Sequence, residues 1–443
     1  MQCLLHYNFH DESPSTDCFN MTRQYRKNTP LLVQLQQQLI LYQQRPLFIA
    51  YSGGLDSHVL LVLLHQLRQQ QPLLNLTAIH IHHGLNQQAD AWAAHCQHIC
   101  DTLKINCVIK KVNLIAQKKQ GIEAAARTAR YQMLFKVATD NGVILTAQHR
   151  NDQAETVLLQ LLRGAGSKGL AAMPFIRKQQ QQILCRPLLN CSQQSLRDFA
   201  QQQQLTWIED DSNQDVRFNR NFLRHNIMPL LRHRWESVDK VLYRVAQQQA
   251  ENDELLMELA VMDWQQCKSK NQQCLTITKL QQLNPARQKN LLRYWLDKKN
   301  FPLPSHQQLQ QLQQTQQLSY ANKQIKSYQN QLFAFAKLPD KPQKTLIWQS
   351  QQPLTLPLGE LHFNGKGCYH FTVKFRQGGE TIKVNQQQQS IKNWLQKKSI
   401  PPWLRDYVPF IYYQEQLICV VTVVTTDTIN IDVEFNWQSF FSQ

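Results

Sequence analysis

The chain has 443 residues, a formal net charge of +17 and a pI near 9.4, so it is long enough for two or three domains and basic enough to favour a polyanion such as nucleic acid. No apolar stretch approaches the roughly 18 residues of a membrane span, and residues 1–30 lack the pattern of a signal peptide. The eleven cysteines include no C-x-x-C pair, which argues against a zinc ribbon, an iron–sulfur site or a disulfide framework. We therefore expect a soluble, cytoplasmic protein with reduced cysteines and no membrane partner.

The amino-terminal residues 1–26 carry no periodic apolar pattern. We expect them to form an extension outside the core, with a first folded domain at 27–216. Met21 is then an alternative start, because this domain requires nothing before the helix that leads into Leu47. A chain that begins at Met21 is expected to keep the activity and the melting temperature of the full chain.

A glycine-rich turn stands between two apolar stretches near the start of this domain. The run Leu47-Phe48-Ile49-Ala50-Tyr51 precedes Ser52-Gly53-Gly54-Leu55-Asp56-Ser57, and a second apolar run follows at 59–64. This order predicts a strand, a turn and a helix. Adjacent glycines let the backbone approach an anion closely, and the amides at a helix N-terminus stabilise phosphate there.

The turn lacks the lysine and the four-residue spacer of a Walker loop. The sequence SGGLDS instead resembles the pyrophosphate loop (PP-loop) of the ATP pyrophosphatase superfamily. Members of that superfamily split ATP between its α and β phosphates to adenylate a substrate, so the resemblance implies an ATP-binding site.

After this helix, strands and helices are predicted to alternate. The predicted segments are the strand 76–81, the helix 90–103, the strand 107–112, the helix 123–140 and the strand 143–147. Such alternation is typical of an α/β fold with a parallel, doubly wound sheet, in which ligands bind at the carboxyl ends of the strands. Two distinctive segments follow predicted strands, HHGLN at 82–86 and AQHRNDQAET at 147–156.

The second of these segments brings a histidine and two acids into one helical turn. His149, Asp152 and Glu155 are spaced by three. A helix that starts near Asn151 therefore places both carboxylates on one face, with the histidine just before its N-terminus. A histidine beside two carboxylates can accept a proton from a nucleophile, and the carboxylates can hold a cation. Acidic residues in a first turn also stabilise a helix without any catalysis. The position after a strand of the same sheet favours the functional interpretation.

Three further segments combine charge with a helix or turn pattern. Arg127 and Arg130 lie on one side of a predicted helix, where their guanidinium groups suit a triphosphate or an RNA phosphate, although a solvated basic face has the same pattern. The glycine-rich turn at 163–169 either orders on a ligand or joins two elements. The acidic cluster at 209–211 either binds a cationic group or caps the next helix.

These motifs occur together in one family. The segments SGGLDS, IHIHHGLN, GIEAAARTARY, TAQHRNDQAET, LLRGAGSKGL, RPLL, WIEDDSNQD and RNFLRHNIMPLL resemble, in order and spacing, those of the bacterial tRNA(Ile)-lysidine synthase family. The resemblance is dense over roughly residues 47–231 and thinner beyond. It implies an enzyme that adenylates the wobble cytidine in the CAU anticodon of an isoleucine tRNA, after which free L-lysine displaces AMP. The product, lysidine, changes codon reading from AUG to AUA.

The resemblance also implies roles for individual residues. ATP is expected on Ser52, Gly53, Gly54, Leu55, Asp56 and Ser57, with Mg2+ on Asp56. The expected catalytic residues are Asp56, Arg127, Arg130 and His149. Either arginine would stabilise the phosphates or the activated cytidine, and the histidine would act on the base or the amine. Asp152 and Glu155 are expected to receive the lysine. Asn151 departs from the family, in which many relatives have a second acid, and this puts a metal role at that position in doubt.

The remainder of the chain is expected to hold the tRNA. Between residues 217 and 244 the sequence has seven Arg or Lys and two acids, a balance suited to phosphate contacts. A helical domain is predicted at 217–335, and short strands with Gly and Pro breaks predict a small α+β domain at 346–443. The residues expected to contact tRNA are Arg217, Arg220, Arg224, Arg232, Arg376, Lys392 and Arg405. Trp403 is expected to pack in a small core.

Other functions compete with this one. A tRNA-thiolating enzyme on the same nucleotide fold ordinarily carries a nucleophilic or cluster-binding cysteine pair, and no such pair stands in the sequence. A small-molecule amidating ligase has little use for a net charge of +17. An inactive RNA-binding protein would lose the loop acids, whereas Asp56, Asp152 and Glu155 are present. The sequence leaves open whether the enzyme forms a homodimer.

Overall fold

The computed structural model describes most of the chain. The described residues are 29–82, 88–112, 122–269, 273–365, 367–384, 387–426 and 432–437. The predicted extension at 1–26 and residues 83–86 of the HHGLN segment lie outside the described residues, so the expectations for them stay predictions. The chain divides into two compact units, residues 1–253 and residues 254–443.

The first unit is built on a six-stranded sheet with the strand order β3-β2-β1-β4-β6-β5. Its strands are β1 (Leu47–Ala50), β2 (Leu76–His82), β3 (Asn106–Lys111), β4 (Val143–Leu145), β5 (Ile176–Gln179) and β6 (Gln182–Cys185). All neighbouring pairs are parallel except β5 and β6. The predicted parallel, doubly wound sheet is thereby confirmed. The antiparallel edge strand β5 was not predicted, because its polar sequence Arg177-Lys178-Gln179 hides the strand pattern.

Helices cover both faces of this sheet. They are α1 (Pro30–Leu39), α2 (Leu55–Gln70), α3 (Ala89–Thr102), α4 (Ile122–Val137), α5 (Arg150–Leu162), α6 (Ser167–Leu170), α7 (Gln193–Gln202), α8 (Asn219–Phe222) and α9 (Met228–Arg234). A π-helical turn at Leu223–Ile227 joins α8 to α9. Within β1, Leu47 and Ile49 pack with α1, α2 and α7, whereas Phe48 packs on the other face with Leu134 and Phe135 of α4. Both faces are therefore buried, as expected for a parallel sheet.

Helix α2 follows the glycine turn directly and is deeply buried. Its residues 57–64 are all buried, which agrees with a sequence that is apolar nearly all round the helix. Burial fixes the position of its first turn relative to β1. The start of the helix, which follows the glycine turn, is therefore anchored in the core.

The second unit begins within helix α10 (Val238–Cys267) and continues through short helices into antiparallel strands. Its first part contains α11 (Ile277–Gln282), α12 (Pro285–Lys298), α13 (His306–Thr315), β7 (Leu275–Thr276), β8 (Leu318–Tyr320), β9 (Lys323–Tyr328) and β10 (Gln331–Ala336). The four strands form one sheet in the order β7-β10-β9-β8. The prediction of a helical region at 217–335 omitted this sheet.

Two tight turns explain why these strands were missed. The turn Ala321-Asn322 joins β8 to β9 and the turn Gln329-Asn330 joins β9 to β10, with positive φ at all four residues. Hairpin turns of this kind most often contain Asn-Gly or Asp-Gly. The asparagine at the second position of each turn was the sequence signal for a hairpin. The neighbouring glutamines made this signal hard to recognise.

The last part of the chain consists of short strands, as predicted. It contains β11 (Leu346–Gln349), β12 (Leu354–Leu356), β13 (Gly359–Phe363), β14 (His370–Lys374), β15 (Thr381–Val384), β16 (Gln387–Ser390), α14 (Ile391–Lys397), β17 (Phe410–Tyr413), β18 (Gln416–Val420), β19 (Val424–Thr425) and β20 (Val433–Trp437). The Trp403 ring stacks on Phe335 at 5.5 Å between centroids, in agreement with its expected packing role. None of the helices in the described parts of the chain has the length and apolarity needed to cross a membrane.

Candidate active site

The glycine turn closes on itself through two serines. The hydroxyls of Ser52 and Ser57 are 3.0 Å apart, and Ser57 Oγ donates to the carbonyl of Gly54 at 2.9 Å. Gly54 is the N-cap of α2, so the amides of the first helical turn face the end of the sheet and are suited to an anion. Gly53 has φ +83°, a conformation that favours glycine.

The segment Trp207–Asp211 packs against this turn. The amide of Ile208 donates to the carbonyl of Gly53 at 3.0 Å. A Cβ at Gly53 would lie 2.4 Å from Ile208 Cδ1, so a side chain here would also require Ile208 to move. The acidic cluster at 209–211 follows this contact directly, which places it next to the turn.

His149 joins the glycine turn to the start of α5. Its Nε2 lies 3.5 Å from Asp56 Oδ2 and 3.5 Å from Asp152 Oδ2, and its amide donates to Asp152 Oδ2 at 3.1 Å. The side chain is buried, which opposes protonation, but the carboxylates of Asp152, Asp56 and Glu155 raise its pKa above the usual value. The structure therefore brings together the residues that the sequence placed at the ends of two different strands.

Asp152 and Glu155 pair with two arginines from the chain that follows the sheet. Arg220 donates to Asp152 Oδ1 and Glu155 Oε2, both at 2.9 Å. Arg224 donates to Glu155 Oε1 at 2.7 Å and to Asp152 Oδ1 at 3.0 Å. The Glu155 side chain is only 2% exposed. We call these four residues the carboxylate–arginine cluster.

The ionisation of this cluster follows from its geometry. Burial opposes the charge on Asp152, but His149, Arg220 and Arg224 together lower the pKa of its carboxyl. Burial likewise opposes the charge on Arg224, but Glu155 and Asp152 raise its pKa. Two negative and two positive charges therefore balance in a nearly closed space. The acids predicted to receive lysine already hold guanidinium groups in this structure.

A second group of arginines surrounds Tyr131 on helix α4. The guanidinium carbons of Arg127 and Arg130 lie 5.3 Å and 5.7 Å from the centre of the Tyr131 ring. Arg186 lies close enough to the same tyrosine to interact with it electrostatically, and Gln148 Nε2 donates to the Tyr131 hydroxyl at 3.4 Å. Burial opposes ionisation of Tyr131, but the three arginines lower the pKa of its phenol. We call Arg127, Arg130, Tyr131 and Arg186 the tyrosine–arginine cluster.

Asn151 has a structural role. Its Oδ1 accepts a hydrogen bond from the amide of Gln193 at 3.0 Å, in the first turn of α7. An amide that satisfies a helix start stabilises it in the manner of an N-cap. The doubt about a metal role at Asn151 stays a prediction.

Family comparisons cover most of the chain. Residues 25–231 match a family described as a PP-loop domain, residues 275–333 match a TilS substrate binding domain and residues 371–437 match a TilS substrate C-terminal domain. A tRNA(Ile)-lysidine synthase from Coxiella burnetii is 42% identical over 396 residues, which cover 84% of this chain and 88% of that protein. One from Yersinia pseudotuberculosis is 41% identical over 423 residues, which cover 87% and 92% of the two chains.

The chain belongs to the tRNA(Ile)-lysidine synthase family. The predicted family resemblance is confirmed, and the glycine turn lies within the matched PP-loop domain. Among solved structures, the U34-tRNA thiolase NcsA from Methanococcus maripaludis, described with its [4Fe-4S] cluster, is 17% identical at a TM-score of 0.44, over 53% of this chain and 81% of that chain. Family membership rests on the two bacterial lysidine synthases.

Two of the arginines predicted to bind tRNA in this family member pair with acids close by in sequence. Arg217 Nη2 lies 2.7 Å from Asp215 Oδ2, and the guanidinium is largely exposed. Arg232 Nε lies 2.7 Å from Asp239 Oδ2. Surface ion pairs of this kind are weak, so both guanidinium groups can exchange an acid for a phosphate. For these two, the prediction of a tRNA contact stays a prediction.

The other predicted tRNA contacts differ in exposure. Lys392 is exposed at the start of α14, and Arg376 Nη1 lies 3.6 Å from Asp406 Oδ1. Arg405 is buried, at 8% exposure, and donates to the Tyr328 hydroxyl at 3.2 Å and to a backbone carbonyl at 2.9 Å. Arg405 therefore does not fit its predicted role as a phosphate ligand, because its guanidinium is used inside the fold.

Proposed function

We propose that this protein ligates lysine onto the 2-position of the wobble cytidine in the CAU-anticodon isoleucine tRNA. The observation that carries the proposal is the contact of Asp56, in the PP-loop, with His149 at the mouth of α5, inside a domain of the lysidine synthase family. This contact supports the proposal, because it joins a turn suited to phosphate to a side chain that can accept a proton in the second step of the reaction.

The reaction would proceed in two steps. The 2-carbonyl oxygen of cytidine attacks the α phosphorus of ATP, and the bond to pyrophosphate breaks, so that pyrophosphate leaves and an adenylated tRNA remains. The amine of lysine then attacks C2, and the C2–O bond breaks as AMP leaves. The free amine has a pKa of about 10.4 and must lose a proton before it attacks. His149 lies where it could take that proton.

ATP would lie on residues 52–57, with its phosphates at the first-turn amides of α2. Mg2+ fits the same place, because Asp56 Oδ1 is buried and has no hydrogen-bond partner within the described part of the chain. Magnesium commonly uses one or two carboxylates together with substrate phosphates. When bound, it would neutralise charge on those phosphates.

Lysine would enter at Asp152 and Glu155, whose remaining lone pairs can accept from an ammonium group beside the arginines. Arg127 and Arg130 would stabilise the phosphates or the activated cytidine. Among the predicted tRNA contacts, Arg217, Arg232, Arg376 and Lys392 have side chains that can reach a phosphate. A cytoplasmic location and a homodimer stay predictions.

The test is incorporation of radiolabelled lysine into the purified tRNA, with and without ATP. Wild-type protein is expected to incorporate lysine only with ATP. Asp56→Ala is expected to abolish pyrophosphate release while tRNA affinity stays within a few fold, because phosphate contacts elsewhere dominate binding. Asp101→Ala, which removes an exposed acid from α3, is the matched control and should keep full activity. Normal pyrophosphate release by Asp56→Ala would overturn the assignment.

A further inference from the structure

The tyrosine–arginine cluster concentrates positive charge around one ring. Among the described residues, none of Arg127, Arg130 and Arg186 has a carboxylate within ion-pair distance, and Asp152 acts on Arg130 only from further away. Arg186 is 4% exposed. Burial of an arginine without a counter-charge is costly, because the cation loses water and gains only a neutral hydrogen-bond partner. An anion in this place would remove that cost.

One donor in the cluster is both buried and unused. Nη1 of Arg186 donates to a backbone carbonyl at 2.5 Å, whereas its Nε has no hydrogen-bond partner among the residues that the structure describes. A buried donor without a partner costs about 1–3 kcal/mol, and more when the group is charged. Native structures rarely keep such a group unless water or a ligand satisfies it. The unused donor is therefore a second observation that favours anion binding at this cluster, and it is independent of the excess charge.

The cluster also lies next to the candidate active site. Gln148, which contacts the Tyr131 hydroxyl, directly precedes His149 in the chain. Arg220 and Asp152 of the carboxylate–arginine cluster also act electrostatically on Arg130. An anion held by these arginines would therefore lie beside the candidate active site.

We infer that the tyrosine–arginine cluster is a phosphate-binding site in which Arg186 forms the buried wall and Tyr131 positions Arg127 and Arg130. A planar guanidinium matches phosphate geometry with two parallel hydrogen bonds, and an aromatic face holds such groups in a fixed orientation. The inference rests on the proposed function for the source of the phosphate, which is either the RNA backbone or ATP. It extends the site to Tyr131 and Arg186, two residues that the sequence analysis did not assign.

Equilibrium binding of the Arg186→Gln variant distinguishes the two sources. The probes are the unmodified isoleucine tRNA, measured over a range of salt concentrations, and inorganic pyrophosphate with Mg2+. An RNA phosphate predicts a smaller salt slope of tRNA binding, by roughly 0.7 to 0.9, with unchanged pyrophosphate affinity. An ATP phosphate predicts pyrophosphate affinity about ten-fold weaker with an unchanged slope. If neither quantity changes in the folded variant, the inference is wrong.

Three further variants make the result specific. Arg197→Gln removes an exposed arginine from α7 of the same unit and should change neither quantity. Arg186→Lys keeps the charge and should restore part of the binding, which a purely steric role would not. Tyr131→Phe removes the polar group on the ring that the arginines surround and should change the affected quantity in the same direction by a smaller factor.

Two checks keep the outcomes separate. If Arg186→Gln does not fold, Arg186→Lys and Tyr131→Phe decide the question, and unchanged binding by both would overturn the site. Lysine incorporation by the wild-type protein tests the proposed function alone. A protein that binds phosphate through Arg186 but incorporates no lysine would leave the site standing and refute the function.

Discussion

The two arginine clusters of the first unit differ in whether carboxylates neutralise their positive charge. In the carboxylate–arginine cluster, Arg220 and Arg224 each contact both Asp152 and Glu155 at 2.7 to 3.0 Å. In the tyrosine–arginine cluster, three guanidinium groups share one phenol ring. In the first arrangement the positive charge is neutralised by carboxylates. The second keeps its charge available to an anion, so a net charge of +17 says little about any single arginine.

The largest effect on stability is expected when a carboxylate is removed from the carboxylate–arginine cluster. Glu155→Ala leaves two guanidinium groups with one carboxylate in a mostly buried place, so the free energy of unfolding should fall by about 3 kcal/mol. Chemical denaturation measures this change. Glu236→Ala, which removes an exposed acid from the same unit, should change it by less than about 0.5 kcal/mol. Equal losses in the two variants would contradict the buried pairing.

A smaller effect is expected on the salt dependence of tRNA binding. Arg224→Gln should leave the slope of log affinity against log salt unchanged, because its guanidinium is occupied by carboxylates. Lys392→Gln should reduce the slope by roughly 0.7 to 0.9, if this exposed lysine contacts one phosphate. A smaller slope in Arg224→Gln would show that the guanidinium leaves its carboxylates when tRNA binds, and would weaken the contrast between the clusters.

The effect of the tyrosine–arginine cluster on Tyr131 should be measurable in a pH titration. Because three arginines lower the pKa of Tyr131 from the usual 10.0, the difference in near-ultraviolet absorbance between the wild-type protein and Tyr131→Phe should show a phenol that ionises below pH 10. The corresponding contribution to stability is present above the unfolded pKa and is lost as the pH falls through the folded pKa. An ionisation at or above pH 10 would mean that the arginines do not act on this ring.

The smallest effect is expected at Asn151, next to the balanced cluster. Asn151→Asp keeps an oxygen that accepts from the amide of Gln193, so thermal stability and lysine incorporation should both stay close to those of the wild-type protein. Asn151→Ala removes the acceptor and should cost about 1 kcal/mol. A large gain in Mg2+ affinity with Asn151→Asp would instead restore a metal role to this position.

The sequence predicted the parts of the site that depend on local order. The PP-loop between a strand and a helix, and the spacing of His149, Asp152 and Glu155, both follow from patterns only a few residues long. The partners of the two acids did not, because Arg220 lies 65 residues beyond Glu155 and no local pattern reports a contact at that distance. The spacing of Arg220 and Arg224 by one helical turn was the available signal, since it matches two acids on one helical face.

The role of Arg405 was missed for a similar reason. The resemblance of its segment to the family's carboxyl-terminal domain suggested a tRNA contact, whereas the structure buries its guanidinium against Tyr328 and a backbone carbonyl. Whether an arginine faces solvent depends on the strands around it, and those strands come from distant parts of the chain. A basic residue in a short sequence motif is therefore weak evidence for a nucleic-acid contact.

The hydrogen bond from the Ile208 amide to the Gly53 carbonyl allows movement of the PP-loop to be measured by hydrogen exchange. An amide proton exchanges with solvent only when its bond opens, so the deuterium uptake of Ile208 reports how often the PP-loop moves. A nucleotide that orders the loop should slow this uptake, although Ile208 belongs to a separate segment of the chain. Occupancy of the loop could thus be followed at one backbone position without any substitution.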